Sequence, residues 1–102
     1  MNLTELKRHA AGVCNKFFSK GNARYFGSSK VFGIYRQPYM SGNDGYVIAE
    51  MIFTGSDGVA APAEYAIHRF ESTPNTLEWS PIGRHATLAD AESFLAAMGA
   101  TK

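Results

Sequence analysis

Between Lys16 and Tyr39 the chain interleaves cations with aromatic rings: Lys16, Phe17, Phe18, Lys20, Arg24, Tyr25, Phe26, Lys30, Phe32, Tyr35, Arg36 and Tyr39. Ammonium and guanidinium groups neutralise phosphates, and rings stack on unpaired bases, so these residue types suit single-stranded or looped nucleic acid. An acidic protein surface would meet the same cations. Not every ring is free for such work. Phe17 falls on the apolar stripe of a helix, and strand alternation turns Phe32 or Tyr35 inward, which leaves Tyr25 and Tyr39. The expectation is a binding surface for nucleic acid or an acidic partner, carried by Lys16, Lys20, Arg24, Tyr25, Lys30 and Arg36. No ribonucleoprotein-type motif, Gly-x-x-Gly loop or recognition helix accompanies it.

Gly83-Arg84-His85-Ala86-Thr87 forms a second group, leading into a helix whose first N–H groups and dipole favour an anion. Arg84, His85 and Thr87 are the candidate anion ligands. The plainer alternative is that Thr87 caps the helix while the basic pair is exposed. Gly21 to Lys30 looks like a phosphate loop but lacks the Gly-Lys-Ser/Thr ending and follows a helix instead of a strand.

Catalysis and metal binding find less. His9, His68 and His85 are widely separated, with no His-x-x-x-His pair and no cysteine beside them, so no metal site is expected. His68 is in phase with Ala66 and Phe70 on a strand, which suits a structural histidine. Cys14 falls beside a helical apolar stripe and behaves as a small buried hydrophobe. No Gly-x-Ser-x-Gly elbow exposes a serine. Glu50, Glu64, Glu71 and Glu78 carry acid or base chemistry only if the fold gathers them, and a pocket joining Glu50, His68 or His85 is the arrangement that would make an enzyme. Asp44 and Asp57 sit beside glycines without the alternating acids of a calcium loop, so turn chemistry accounts for them. No cofactor motif is present.

The elements that must position these residues follow from periodicity and punctuation. Asn2 and Glu5 resemble a capping box, and Leu3, Leu6, Ala10, Val13 and Phe17 recur at helical spacing, predicting a helix over 3–18 that Gly21 closes. Runs at Lys30 to Gln37, Tyr46 to Thr54 and Glu64 to Ser72 read as strands. Asn43-Asp44-Gly45 and Asp57-Gly58 favour positive φ in the turns between them. A short fourth strand is expected around Thr76 to Ser80, after a turn at Pro74-Asn75, with Pro81 ending it. Thr87 and Asp90 then cap a helix striped by Leu88, Ala91, Phe94, Leu95 and Met98 and closed by Gly99. The sum is one α+β domain over 1–102: an N-terminal helix, an antiparallel meander of three to four strands and a C-terminal helix, both helices on one sheet face.

The Tyr46 to Thr54 strand departs from simple alternation. Val47, Ala49, Met51 and Phe53 fall on one face, Tyr46, Ile48 and Ile52 on the other, and both are mostly apolar. The second face therefore needs cover. A homodimer or protein-partner contact is one expectation, giving an adaptor or inhibitor; a roof formed by Tyr25 and Phe26 is the other.

Bulk properties narrow the class. A chain of 102 residues with 45 % hydrophobic and 19 % charged residues has material for one core, burying roughly 65 % of its unfolded surface. Cys14, alone, excludes an internal disulfide and fits a reducing compartment. Residues 1–10 carry Glu5, Lys7, Arg8 and His9 and no apolar h-region, and the Tyr46 to Phe53 run is too short to span a membrane. A cytoplasmic protein without membrane contact is expected. Net charge is only +1, yet residues 1–36 hold seven of the ten Lys and Arg residues against Glu5 alone, while residues 37–102 hold eight acids against Arg69, Arg84 and Lys102. That imbalance points to a polyanionic or acidic partner, although facing halves of one fold can also carry opposite charge, and an enzyme is the lesser expectation because acid, base and nucleophile candidates neither cluster nor fall in a motif.

Overall fold

A computed structural model describes Glu5, Arg8, Arg24, Tyr25 and residues 31–54 and 62–102. Of the expected N-terminal helix over 3–18, only Glu5 and Arg8, both helical, are among them; its extent, and the Asp57-Gly58 turn, lie outside the described residues.

The described chain forms β1 (Arg24–Tyr25), β2 (Val31–Tyr35), β3 (Asp44–Met51), β4 (Phe53–Thr54), β5 (Glu64–Ser72), β6 (Leu77–His85) and a C-terminal helix (Leu88–Ala97). Four strands make an antiparallel sheet in the order β2-β3-β5-β6, with β4 lying in the connection between β3 and β5. β1 and β4 form a separate two-stranded ladder in which Arg24 lies opposite Thr54 and Tyr25 opposite Phe53. The expected Tyr46 to Thr54 strand is thus divided, with Ile52 between β3 and β4.

The C-terminal helix forms where its caps dictate. Thr87 is extended, and its hydroxyl accepts a hydrogen bond from the Asp90 N–H at 3.1 Å. Gly99, at φ +80°, ends it: the Gly99 N–H donates to the Ala96 carbonyl and the Ala100 N–H to Leu95, the paired bonds of a Schellman motif. Beyond it the chain turns onto the sheet, where Arg36 and Thr101 exchange backbone hydrogen bonds of 2.8 and 3.0 Å.

Helix residues Ala91 and Leu95 pack with Tyr35, Tyr46, Ile48, Ile67 and Ala100, forming the core of one sheet face. The opposite face is also closed: Val47, Met51 and Ala66 are 0 % exposed, Ala49 1 % and Phe70 2 %. Each large side chain buried this way stabilises the fold by about 1.5–3 kcal/mol. These residues of the apolar face of β3 and its neighbour β5 are therefore buried within a single chain.

Three local expectations are corrected. Pro81 does not end the fourth strand, which runs on to His85. β6 is an edge strand, and its register against β5 shifts between Ile67 and His68, so that Ile67 faces Gly83 and His68 faces Pro81, with Ile82 as the extra residue. A proline is tolerated at such a bulged edge. Asn43-Asp44-Gly45 is not a positive-φ turn, because Asp44 already begins β3. Gly45 instead lets Phe70 pack against bare backbone: a Cβ there would lie 3.0 Å from the ring and 3.1 Å from the Tyr35 carbonyl. In β2, finally, Gly33 at φ +99° sits in an irregularity between Val31 and Ile34. The extra residue shifts the phase of the strand, so Phe32 and Tyr35 both join the helix-side core while Val31 and Ile34 join the other.

Candidate functional site

The basic and aromatic group is described only in part. Lys16, Lys20 and Lys30 lie outside the described residues, and Arg24 and Tyr25 are placed by backbone pairing alone. Arg36 is fully placed, just beyond β2. Its Nε donates to the Asp44 carbonyl at 2.7 Å and its Nη2 to the Gly42 carbonyl at 2.9 Å. The guanidinium thereby holds the β2–β3 connection while keeping its charge, since carbonyls accept hydrogen bonds without neutralising a cation. Within that connection Tyr39 is 80 % exposed, its hydroxyl donating to the Gln37 side-chain carbonyl, so one of the two rings expected to be free for a ligand stands in solvent. Gln37 also accepts from the Tyr46 hydroxyl and donates to the Met98 carbonyl at 2.8 Å, tying the connection to the helix end.

Arg84, His85 and Thr87 are neighbours in sequence but not at one point in space. Arg84 is opposite Ala66 and shares its face, whereas His85 is opposite Tyr65 on the helix side. The His85 ring lies 5.4 Å from Phe94, tilted by 45°. The Thr87 hydroxyl is occupied by the Asp90 N–H, and Asp90 places a negative charge in the first helical turn, which disfavours an anion there.

Among Glu50, His68 and His85, strand parity decides the grouping. Glu50 faces Tyr65 and Tyr65 faces His85, so the three form one row across β3, β5 and β6, all half-buried. The Tyr65 hydroxyl donates to Glu50 Oε2 at 3.4 Å, and the phenol pKa is raised first by burial and then by that carboxylate. The Tyr65 phenol therefore keeps its proton and serves as a hydrogen-bond donor to the carboxylate. Phe32 covers it at a centroid distance of 5.9 Å. Tyr65 and Phe94 escaped sequence reasoning because only the register places them beside Glu50 and His85.

His68 is on the other face, opposite Val47, and is 0 % exposed. Trp79 meets its ring edge-on, at 6.0 Å and 86°. Burial lowers the imidazole pKa to about 4, so the ring is neutral at physiological pH. It is a core residue, as its phase with Ala66 and Phe70 implies.

A cleft of about 420 Å³ lies between the C-terminal helix and β2, lined by Tyr35, Glu92, Ser93, Ala96 and the 100–102 segment. Of its residues only Tyr35 belongs to the groups above. Among the described residues no three His, Cys, Asp or Glu side chains converge on a metal position. Nor is any helix among them long and apolar enough to cross a membrane. No family model, no curated protein and no solved structure matches the chain.

Proposed function

We propose that this chain is a non-enzymatic binding protein that engages a polyanionic partner, a nucleic acid or an acidic protein surface, through Lys16, Lys20, Arg24, Tyr25, Lys30 and Arg36. The observation that carries the reading is the charge split: seven cations against one acid in residues 1–36, three against eight in the remainder. Binding is steered by charge, and exposed rings add stacking where the partner is single-stranded. Two features of the fold agree with it. Arg36 keeps its charge while its donors are held by carbonyls, and Arg69 on β5 is paired with Glu71, so the C-terminal part balances part of its own charge internally.

The test is fluorescence anisotropy with a labelled single-stranded oligonucleotide and, separately, a labelled poly-glutamate peptide, each over a range of salt. Affinity that falls steeply with salt, and weakens on K16E or K20E, supports the reading. Salt-independent affinity, or none for either probe, refutes it, and preference for one probe names the partner class. The row of Glu50, Tyr65 and His85 is the observation that favours a second reading, an acid/base enzyme; a Glu50→Gln variant that retained every activity found for the chain would remove it.

A further inference from the structure

We propose that Tyr39 is a stacking platform for an unpaired base, which makes single-stranded nucleic acid, and not an acidic protein surface, the partner of the basic group. The inference rests on the polyanion reading and narrows it. Tyr39 is 80 % exposed, against 38 % for Ile82 and 40 % for Phe94, the other exposed large hydrophobics among the described residues. Exposure alone says little, since single apolar residues are common on protein surfaces. What sets Tyr39 apart is that its ring is held in place.

Gln37-Pro38-Tyr39-Met40 is a β-turn, closed by the Met40 N–H donating to the Gln37 carbonyl at 3.0 Å. Pro38 fixes φ at its second position, and among the described residues only glycines have positive φ, so the turn is of type I with Tyr39 third. The Tyr39 hydroxyl donates to Gln37 Oε1, and the Gln37 amide is itself fixed at both atoms: Oε1 also accepts from the buried Tyr46 hydroxyl at 3.1 Å, and Nε2 donates to the Met98 carbonyl at 2.8 Å. The ring is thus tied at its polar end to the sheet and to the helix end while its surface stays in solvent. A ring already ordered loses little conformational freedom when a base stacks on it, whereas a freely turning one would lose more.

The cation on the same connection is ordered too. Arg36 Nε and Nη2 are held by the Asp44 and Gly42 carbonyls, which leaves the charge intact and three guanidinium N–H donors for a phosphate. Arg36 is the sole charged residue between β2 and β3, so the segment that displays the ring is net positive. A carboxylate surface would pair with the cation and make no use of the ring. Duplex bases are stacked on one another and offer no free face. An unpaired base beside its own phosphate matches both groups.

The experiment is fluorescence anisotropy on the full chain with three labelled probes: an oligothymidylate of about ten nucleotides, an abasic strand of the same length, and poly-glutamate. The two strands carry the same phosphates and differ only in their bases. The parent should bind the oligothymidylate at least about fivefold more tightly than the abasic strand, the lower end of the range for stacking one base, and more tightly than poly-glutamate. Tyr39→Ala removes an exposed side chain and so keeps the fold; it should lose that fivefold preference with the salt dependence unchanged, and Tyr39→Trp should keep it. Equal affinity of the parent for both strands, an undiminished preference in Tyr39→Ala, or tighter binding of poly-glutamate overturns the stacking proposal and leaves the polyanion reading standing. No salt-sensitive binding of any probe overturns both.

Discussion

Acidification should destabilise this protein through His68 before its carboxylates are exhausted. The imidazole is 0 % exposed, enclosed by the face that holds Ala66, Phe70 and Trp79, and its folded pKa is lowered from 6.5 to about 4. In the unfolded chain the ring takes up a proton as pH falls through 6.5, whereas in the folded chain it does not do so until about 4. Between those values the unfolded state binds more protons, so stability rises with pH and is lost on acidification. Each pH unit of separation is worth about 1.4 kcal/mol, and the loss from this one group reaches about 2 kcal/mol by pH 4.5, levelling off at roughly 3 kcal/mol below the folded pKa. That is a substantial share of the ~5–15 kcal/mol that holds a domain of this size together. Urea unfolding of the parent and of His68→Leu at pH 7 and pH 4.5 isolates the effect, because titration of the carboxylates common to both cancels in the difference. The parent should lose about 2 kcal/mol more than the variant. An imidazole proton titrating near 6.5 in the folded protein, or equal losses in parent and variant, refutes the reasoning.

Gly45→Ala should cost about 1–3 kcal/mol in urea unfolding, because the added methyl meets the Phe70 ring at 3.0 Å and the Tyr35 carbonyl at 3.1 Å; an unchanged midpoint contradicts that packing. Thr87→Ala should cost about 1 kcal/mol by the same assay, with Thr87→Ser close to the parent, since only the hydroxyl reaches the Asp90 N–H. Gly99→Ala should cost about 1 kcal/mol and Gly99→Asn less: nothing lies within 4 Å of the added Cβ, so the penalty comes from φ +80° alone. In a spectrophotometric titration, Tyr35 and Tyr65 should ionise later than an ordinary phenol near pH 10, and Tyr65→Phe should remove one late-ionising group.

The sequence is most legible where a local chemical rule has one solution. Thr87, Asp90 and Gly99 fix the helix ends because a cap needs a hydroxyl three residues before an N–H and a glycine where φ turns positive. Glu64 to Ser72 is read correctly to the residue, being bounded on both sides by turn signals. Legibility fails where tertiary geometry overrides local preference. Pro81 is a stop signal only if the strand is straight and central; on a bulged edge it is neither. Gly45 resembles a turn glycine, but what requires it is Phe70, 25 positions away. Of the candidate sites, the sequence identifies the right residue types and not their company. Arg84 and His85 are adjacent in the chain and face apart, whereas Glu50, Tyr65 and His85 are distant and face together.

Strand parity also sets the division of labour between the two sheet faces. With Val47, Ala49 and Met51 closed on one side and Tyr46, Ile48 and Ile67 under the helix on the other, both faces of β3 are buried at these residues. The polyanion surface proposed above therefore belongs at the margins of the sheet, in its loops and edges. There the described residues place the exposed Tyr39 and the tethered Arg36. Margins are also where charge can be displayed without desolvation, which suits the salt-sensitive polyanion surface proposed above.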